Sequence, residues 1–193
     1  QAAVPVGKGA MAALLGLDLA EARKLAEAAA QGDVCQAAND NAPGQVVISG
    51  SKAAVERAVE KASEYGARRA VLLPVSAPFH CALMQPAADA MAEALADVEI
   101  KTPAVPLIAN VVAGEISGPE DIRARLVEQV TGVVRWRESV VYMVETGVTT
   151  LYEIGAGRVL TGLARRIERS LETISVGTPD EVEQASQALA ASA

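Results

Sequence analysis

The chain has 193 residues, 51% of them hydrophobic and 21% charged, enough for one large or two small domains around a buried core. A formal net charge of −7, from 24 acidic and 17 basic residues, argues against non-specific nucleic-acid binding. Aromatic residues make up only 3%, which leaves few platforms for stacked bases.

The chain opens Gln1-Ala2-Ala3-Val4-Pro5, without an initiator methionine. Residues 1–8 are expected to be the end of a preceding helix or a linker, and the whole to be part of a longer protein. Ala10 to Gly16 is a short apolar run between glycines and predicts a strand. Asp18 caps a helix from Leu19 to Gln31, and Gly32 stops it. Val34 to Asn39 predicts a second strand, Asn41-Ala42-Pro43-Gly44 a turn, and Gln45 to Gly50 a third strand rich in β-branched residues. Ser51 caps a helix from Lys52 to Tyr65, Gly66 closes it, and Arg68 to Val75 is a fourth strand. The order β-α-β-β-α-β is the split, ferredoxin-like arrangement, over residues 9–75.

The rhythm then changes. A helix is expected from Ala82 to Asp97, with Leu83, Pro86, Ala87, Ala90, Met91, Ala94 and Leu95 as its apolar face. Val105 to Val112 reads as a buried strand, and Glu120 to Val130 and Glu138 to Thr146 as helices. Thr150 to Ile154 is a strand, Arg158 to Leu171 a helix, Thr173 to Val176 a last short strand, and Pro179 opens a terminal helix. Strands alternating with helices over residues 76–193 imply a parallel sheet with helices on its faces. The expected class is therefore α/β, with an α+β small lobe joined to a parallel-sheet lobe.

The most informative run is Pro74-Val75-Ser76-Ala77-Pro78-Phe79-His80-Cys81-Ala82-Leu83-Met84. His80 is the only histidine, so chemistry near neutral pH that needs an imidazole must use it. Pro74 and Pro78 hold the residues before them extended, making a stiff strand-to-helix junction at the seam of the two halves. Taken alone, the run favours a histidine packed beneath a helix end over one facing a substrate.

Other motifs are weaker. Strand–Gly155-x-Gly157–helix resembles a phosphate loop, but Leu160 replaces the third glycine and no Lys-Ser/Thr follows, so a tight packing turn accounts for it. Arg158, Arg165 and Arg166 offer a basic face for an acidic partner or simply a solvated one. Cys35 and Cys81 lie far apart, and no H-x-x-x-H or C-x-x-C occurs, so no metal is expected and both thiols are read as free and buried. No stretch is long enough to span a bilayer and no signal peptide opens the chain, so cytoplasm, with no membrane and no nucleic-acid partner, is expected. Scattered carboxylates show no pairing, and no Gly-x-Ser-x-Gly elbow exists; Ser49-Gly50-Ser51 comes nearest.

Several ordered stretches resemble the malonyl-CoA:acyl-carrier-protein transacylases of fatty-acid synthesis and the related acyltransferase domains of polyketide synthases. They are Gly9 to Ala13, Asn41-Ala42-Pro43-Gly44-Gln45 through Gly50, Leu73 through Met84, Asn110-Val111, Gln129 through Trp136, and Leu151-Tyr152-Glu153-Ile154-Gly155-x-Gly157-x-Val159-Leu160. Together they span almost the whole chain. The resemblance implies a ferredoxin-like lobe joined to part of an α/β-hydrolase-like lobe, with the family's nucleophile elbow, oxyanion loop and malonyl-pairing arginine outside this sequence.

By that resemblance His80 is the catalytic base, Gln129 supplies the backbone carbonyl that orients it, and Phe79 narrows the acyl pocket against branched groups. Asn41 and Ser76 are expected to line the substrate cleft, Asn41 near the pantetheine arm. The implied reaction moves a malonyl group from malonyl-CoA to the phosphopantetheine thiol of acyl carrier protein by a ping-pong Ser–His route. CoA enters as substrate thioester and no cofactor is needed. The missing N-terminal segment of the same protein is the further partner, and the chain alone is expected to be inactive. The alternative is a non-catalytic module that grips CoA or a carrier protein. An unrelated ferredoxin-like regulatory domain accounts for the first half only.

Overall fold

Alternation along the strands builds the first sheet. In β1 (Gly9–Leu15), Ala12 and Leu14 face one side and Met11 and Ala13 the other. In β3 (Gln45–Ser51), Val46 and Ile48 join the first side and Val47 the second. β2 (Cys35–Ala42) and β4 (Arg69–Leu72) complete an antiparallel sheet of order β2-β3-β1-β4, the ferredoxin-like order.

Two helices cover its first side. α1 (Leu19–Ala30) starts where Asp18 accepts the Glu21 amide at 2.9 Å, and it buries Ala22, Leu25, Ala26 and Ala29 at helical spacing. α2 (Lys52–Lys61) buries Ala54, Val55 and Ala58 and tightens into a 3₁₀ turn at Ala62–Tyr65. Leu14, Leu25, Ile48 and Val55 are fully buried, each contributing roughly 1.5–3 kcal/mol by leaving water. Alanine elsewhere lets helices and sheet approach closely.

The computed structural model describes residues 3–192. Ala3 to Lys8 form bends and turns; Gln1 and Ala2 lie outside the described residues. By contact density the chain divides into one unit ending at Ser139 and a second from Val140.

Several boundaries differ from expectation. β2 extends through Asn41, so the turn shrinks to Pro43-Gly44. Two register shifts, between Ala37 and Asn39 and between Asp40 and Ala42, absorb the extra residues. The strand's other edge pairs with Val134, through Asp40 N–H to Val134 O at 2.9 Å and Val134 N–H to Ala38 O at 2.8 Å. β4 ends at Leu72 rather than Val75: Leu73 donates a last rung to Met11 O, and Pro74 has no N–H to continue.

Beyond β4 the first unit holds a 3₁₀ turn at Ala82–Met84, α3 (Gln85–Ala96), the hairpin β5 (Leu107–Ala109) and β6 (Gly114–Ile116), α4 (Pro119–Thr131), and the start of α5 (Trp136–Glu145). The helix expected from Ala82 begins as α-helix only at Gln85, because Pro86 fits only a first turn. Its expected apolar face is largely uncovered; Ala88 is the buried residue and Met91 is exposed. The strand expected at Val105 to Val112 is three residues long and half-exposed, and β6 was unexpected. Ala113 turns the hairpin at φ +52°, with its N–H on Ala109 O at 2.8 Å.

The second unit is a parallel pair, β7 (Thr150–Ile154) and β8 (Glu172–Val176), linked through α6 (Val159–Ile167) and followed by α7 (Pro179–Ser192). α6 stops four residues before the expected Leu171, with Glu168 extended at φ −137°. The class is α/β as expected: an antiparallel ferredoxin-like sheet and a separate parallel strand pair.

Candidate active site

The run after β4 is pinned at both ends. Pro78 is fully buried, and its carbonyl accepts the Cys81 thiol at 3.1 Å. The Ala82 amide is held by Gln36 Oε1 of β2 at 2.7 Å. Between these ties His80 takes φ +59°, the left-handed region, which costs a non-glycine residue roughly 1–2 kcal/mol. The ring is half-buried, with one edge against α4.

There Nδ1 of His80 meets the backbone carbonyl of Gln129 at 2.9 Å. A carbonyl only accepts, so Nδ1 carries the proton and Nε2 is left as the acceptor of the neutral ring. The oxygen is available because α4 ends two residues later. Gly132 is extended at φ −84°, ψ +154°, and gives its N–H to Glu128 O at 2.8 Å. The carbonyls of a last helical turn lack helical partners, and they form the negative end of the helix dipole. Gln129 reinforces the end through its own side chain, Nε2 donating to Gly132 O at 2.9 Å. No side chain fits at 132: a Cβ would lie 2.7 Å from Val111 Cγ2 and 2.9 Å from Glu128 O.

Of the other residues singled out, Phe79 is 41% exposed beside His80, and Ser76 is exposed two residues before Pro78. Asn41 is half-buried in the second bulge of β2, not in a turn, and makes no direct bond to the His80–Gln129 pair.

The sequence reading missed the ion pair that ties β2 to α5. Asp40, 1% exposed, takes a two-pronged ion pair from Arg137, Nε at 2.9 Å and Nη2 at 2.8 Å. Arg135 next to it binds Val112 O at 2.9 Å and pairs with Glu138, which holds that carboxyl below the usual range. An acid within a strand that places its neighbours Ala38 and Ala42 in the interior was the available signal. The thiols are inert. Burial pushes Cys81 up and Cys35 up to about 11.

The Gly155-x-Gly157 turn has its anion already. Both carboxylate oxygens of Glu153 accept the amides of Leu160 and Thr161, at 3.0 and 2.7 Å, and these bonds lower its pKa. Arg165 is likewise committed, to Thr173 Oγ1 at 2.6 Å and Thr173 O at 3.1 Å, and Arg158 approaches Glu181 at 3.6 Å. Among the described residues no group of three or more His, Cys, Asp or Glu is placed to hold a metal ion, and no helix is long and apolar enough to cross a membrane.

The chain is 46% identical over 188 residues to the malonyl CoA-acyl carrier protein transacylase of Bacillus subtilis, covering 97% of this chain and 59% of that protein. The acyl-carrier-protein-S-malonyltransferase of Bartonella henselae superposes with a TM-score of 0.93 at 57% identity, covering 98% of this chain and 60% of that one. A malonyl-transacylase solved in complex with its type II PKS acyl-carrier protein superposes with a TM-score of 0.92 at 45% identity, covering 96% of this chain and 60% of that chain. The chain thus spans about three-fifths of the length of the relatives it matches. The family model described as acyl transferase domain matches residues 2–188, and the chain belongs to that family.

Proposed function

We propose that this chain carries the general base and part of the cleft of an acyltransferase that moves a malonyl group from malonyl-CoA to the phosphopantetheine thiol of acyl carrier protein. The observation that supports this most is the bond from His80 Nδ1 to Gln129 O, which presents Nε2 as an acceptor. In this reading a serine hydroxyl from a segment outside this sequence gives its proton to Nε2 and attacks the thioester carbonyl. The protonated ring then returns the proton to the departing CoA thiol. The carrier thiol next gives its proton to the same nitrogen, attacks the acyl-serine, and regenerates the hydroxyl. Gln129 O holds the ring in the productive tautomer, in the place an aspartate takes in other triads.

Phe79 and Ser76, on either side of the buried Pro78, and Asn41 on β2 are proposed to contact the acyl–pantetheine chain. The reaction needs CoA only as substrate. The solved complex of a related transacylase with its acyl-carrier protein supports a carrier protein as acceptor. A cytoplasmic setting is part of the same proposal. The test is His80→Ala in the full-length protein, with malonyl transfer to holo carrier protein as readout. A loss of about 10³-fold or more in kcat/KM is expected, and unchanged turnover refutes the assignment. Calorimetry of the present chain with CoA and with holo carrier protein probes the binding-module alternative, which tight binding to this chain by itself favours.

A further inference from the structure

We infer that Gly9 positions His80, acting through Pro78; this rests on the reading of His80 as the base. Gly9 opens β1, paired with Ser51. A Cβ at this position would lie 2.3 Å from Pro78 Cγ, 2.5 Å from Cδ and 2.8 Å from Cβ. These are far inside carbon–carbon contact at about 3.5–4.0 Å. The Pro78 ring therefore sits directly on the backbone of the strand.

The ring is an unusual thing to seat there. A long side chain would swing away from an added methyl group at little cost. The pyrrolidine ring is closed onto its own backbone nitrogen, so displacing the ring displaces the chain. The strand is the less able of the two to yield. Gly9 is in register with Ser51, and the residue before it is tied by the Lys52 amide to Lys8 O at 2.9 Å. Further along, β1 is paired on both sides, with β3 and β4. The turn must move instead, by roughly 1 Å or more to restore contact distance.

One residue separates Pro78 from His80. The turn has few ways to absorb such a shift, because Cys81 and Ala82 are held by Pro78 O and Gln36 Oε1. A displacement of about 1 Å carries Nδ1 out of hydrogen-bond range of Gln129 O, now at 2.9 Å. Misplacement of that size costs on the order of 10²-fold in turnover. Gly9 lies against Pro78 rather than the imidazole, so its role is to seat the turn.

The experiment is a double-mutant cycle in the full-length protein, with Gly9→Ala, Pro78→Gly and both together, rates being taken per folded molecule. Gly9→Ala is expected to lower kcat about 10²-fold, with KM for malonyl-CoA within about three-fold. Pro78→Gly removes all three ring carbons that a Cβ at position 9 would meet and unseats the turn, lowering kcat about ten-fold. In that background Gly9→Ala is expected to cost no more than about three-fold further. Equal cost of Gly9→Ala in both backgrounds overturns the inference, as does Gly9→Ala turnover near wild type. Should Gly9→Ala not fold, Pro78→Gly carries the test, and turnover within about three-fold of wild type overturns it. His80→Ala in parallel separates the two claims. If it leaves turnover intact, the base assignment fails; if it abolishes turnover while Gly9→Ala is silent, only the seating role fails. A ¹⁵N-histidine spectrum, with the His80 signal assigned by its disappearance in His80→Ala, reports that imidazole directly, and loss of its hydrogen-bonded Nδ1–H signal in Gly9→Ala is the expected companion result.

Discussion

Gln129→Ala separates a backbone role from a side-chain role. The bond to His80 uses the main-chain oxygen of Gln129, which alanine retains. What alanine removes is the bond from Nε2 to Gly132 O at 2.9 Å, which stiffens the end of α4. A half-buried neutral hydrogen bond contributes about 0.5–1.5 kcal/mol net. If all of it appears as looser placement of the carbonyl, the rate falls by no more than about ten-fold, since 1.36 kcal/mol is a factor of ten. The expected result is therefore a two- to ten-fold lower kcat with nearly unchanged KM, and a loss of about 1 kcal/mol in denaturant unfolding. Steady-state malonyl transfer by the full-length protein, beside His80→Ala, provides the measurement. A loss of about 10³-fold or more, matching His80→Ala, would show the amide group itself in the chemistry and refute the main-chain argument.

Removing either half of the Asp40–Arg137 pair destabilises the protein, but unequally. Arg137→Ala strands a carboxylate whose side chain is 2% exposed and is expected to cost about 3–5 kcal/mol. Asp40→Ala leaves an arginine that is 35% exposed and can turn to water, for about 2 kcal/mol; urea unfolding of both variants tests the order, and equal losses contradict it. Phe79→Ala is expected to raise kcat/KM for methylmalonyl-CoA relative to malonyl-CoA by about ten-fold or more, and no change removes Phe79 from the acyl pocket. The Cys35 thiol, at about 11 when folded against an ordinary 9.0, keeps its proton longer in the folded chain than in the unfolded one. Stability from this group is fully present below pH 9.0 and declines as pH rises toward about 11. Denaturation midpoints over that window are expected to fall less steeply in Cys35→Ala than in wild type.

Local pattern carried the small sheet well. Period-two burial in Gln45 to Gly50 and the Asp18 cap are direct readings of side-chain chemistry. It failed where a distant segment intervened. Asn41 looks like a turn residue, yet β2 runs through it to Ala42 along β3, and Val134, nearly a hundred residues away, joins the strand's other edge at Asn39. Alternation along a strand cannot announce a partner on its other edge. The apolar face expected on α3 is present as sequence and largely uncovered as structure, because periodicity predicts a face without supplying a neighbour. At the site, His80 was legible as a lone imidazole at a proline-stiffened junction. Its orienting oxygen was not legible from residue type, since any residue at 129 has a carbonyl. Only the resemblance to a known family pointed there. The Gly9–Pro78 contact was invisible for a similar reason: a missing Cβ leaves no mark of which ring fills its space.

Glu153 reverses the meaning of the glycine turn that follows it. A helix amino end beside a flexible Gly-x-Gly loop reads as a receptor for phosphate. Here the strand delivers its own tethered counter-ion to that end, closing a short electrostatic latch between β7 and α6. A free phosphate must displace a ligand whose effective concentration is set by a few covalent bonds. An acid two positions ahead of such a loop is thus a sign of a lock already holding its key.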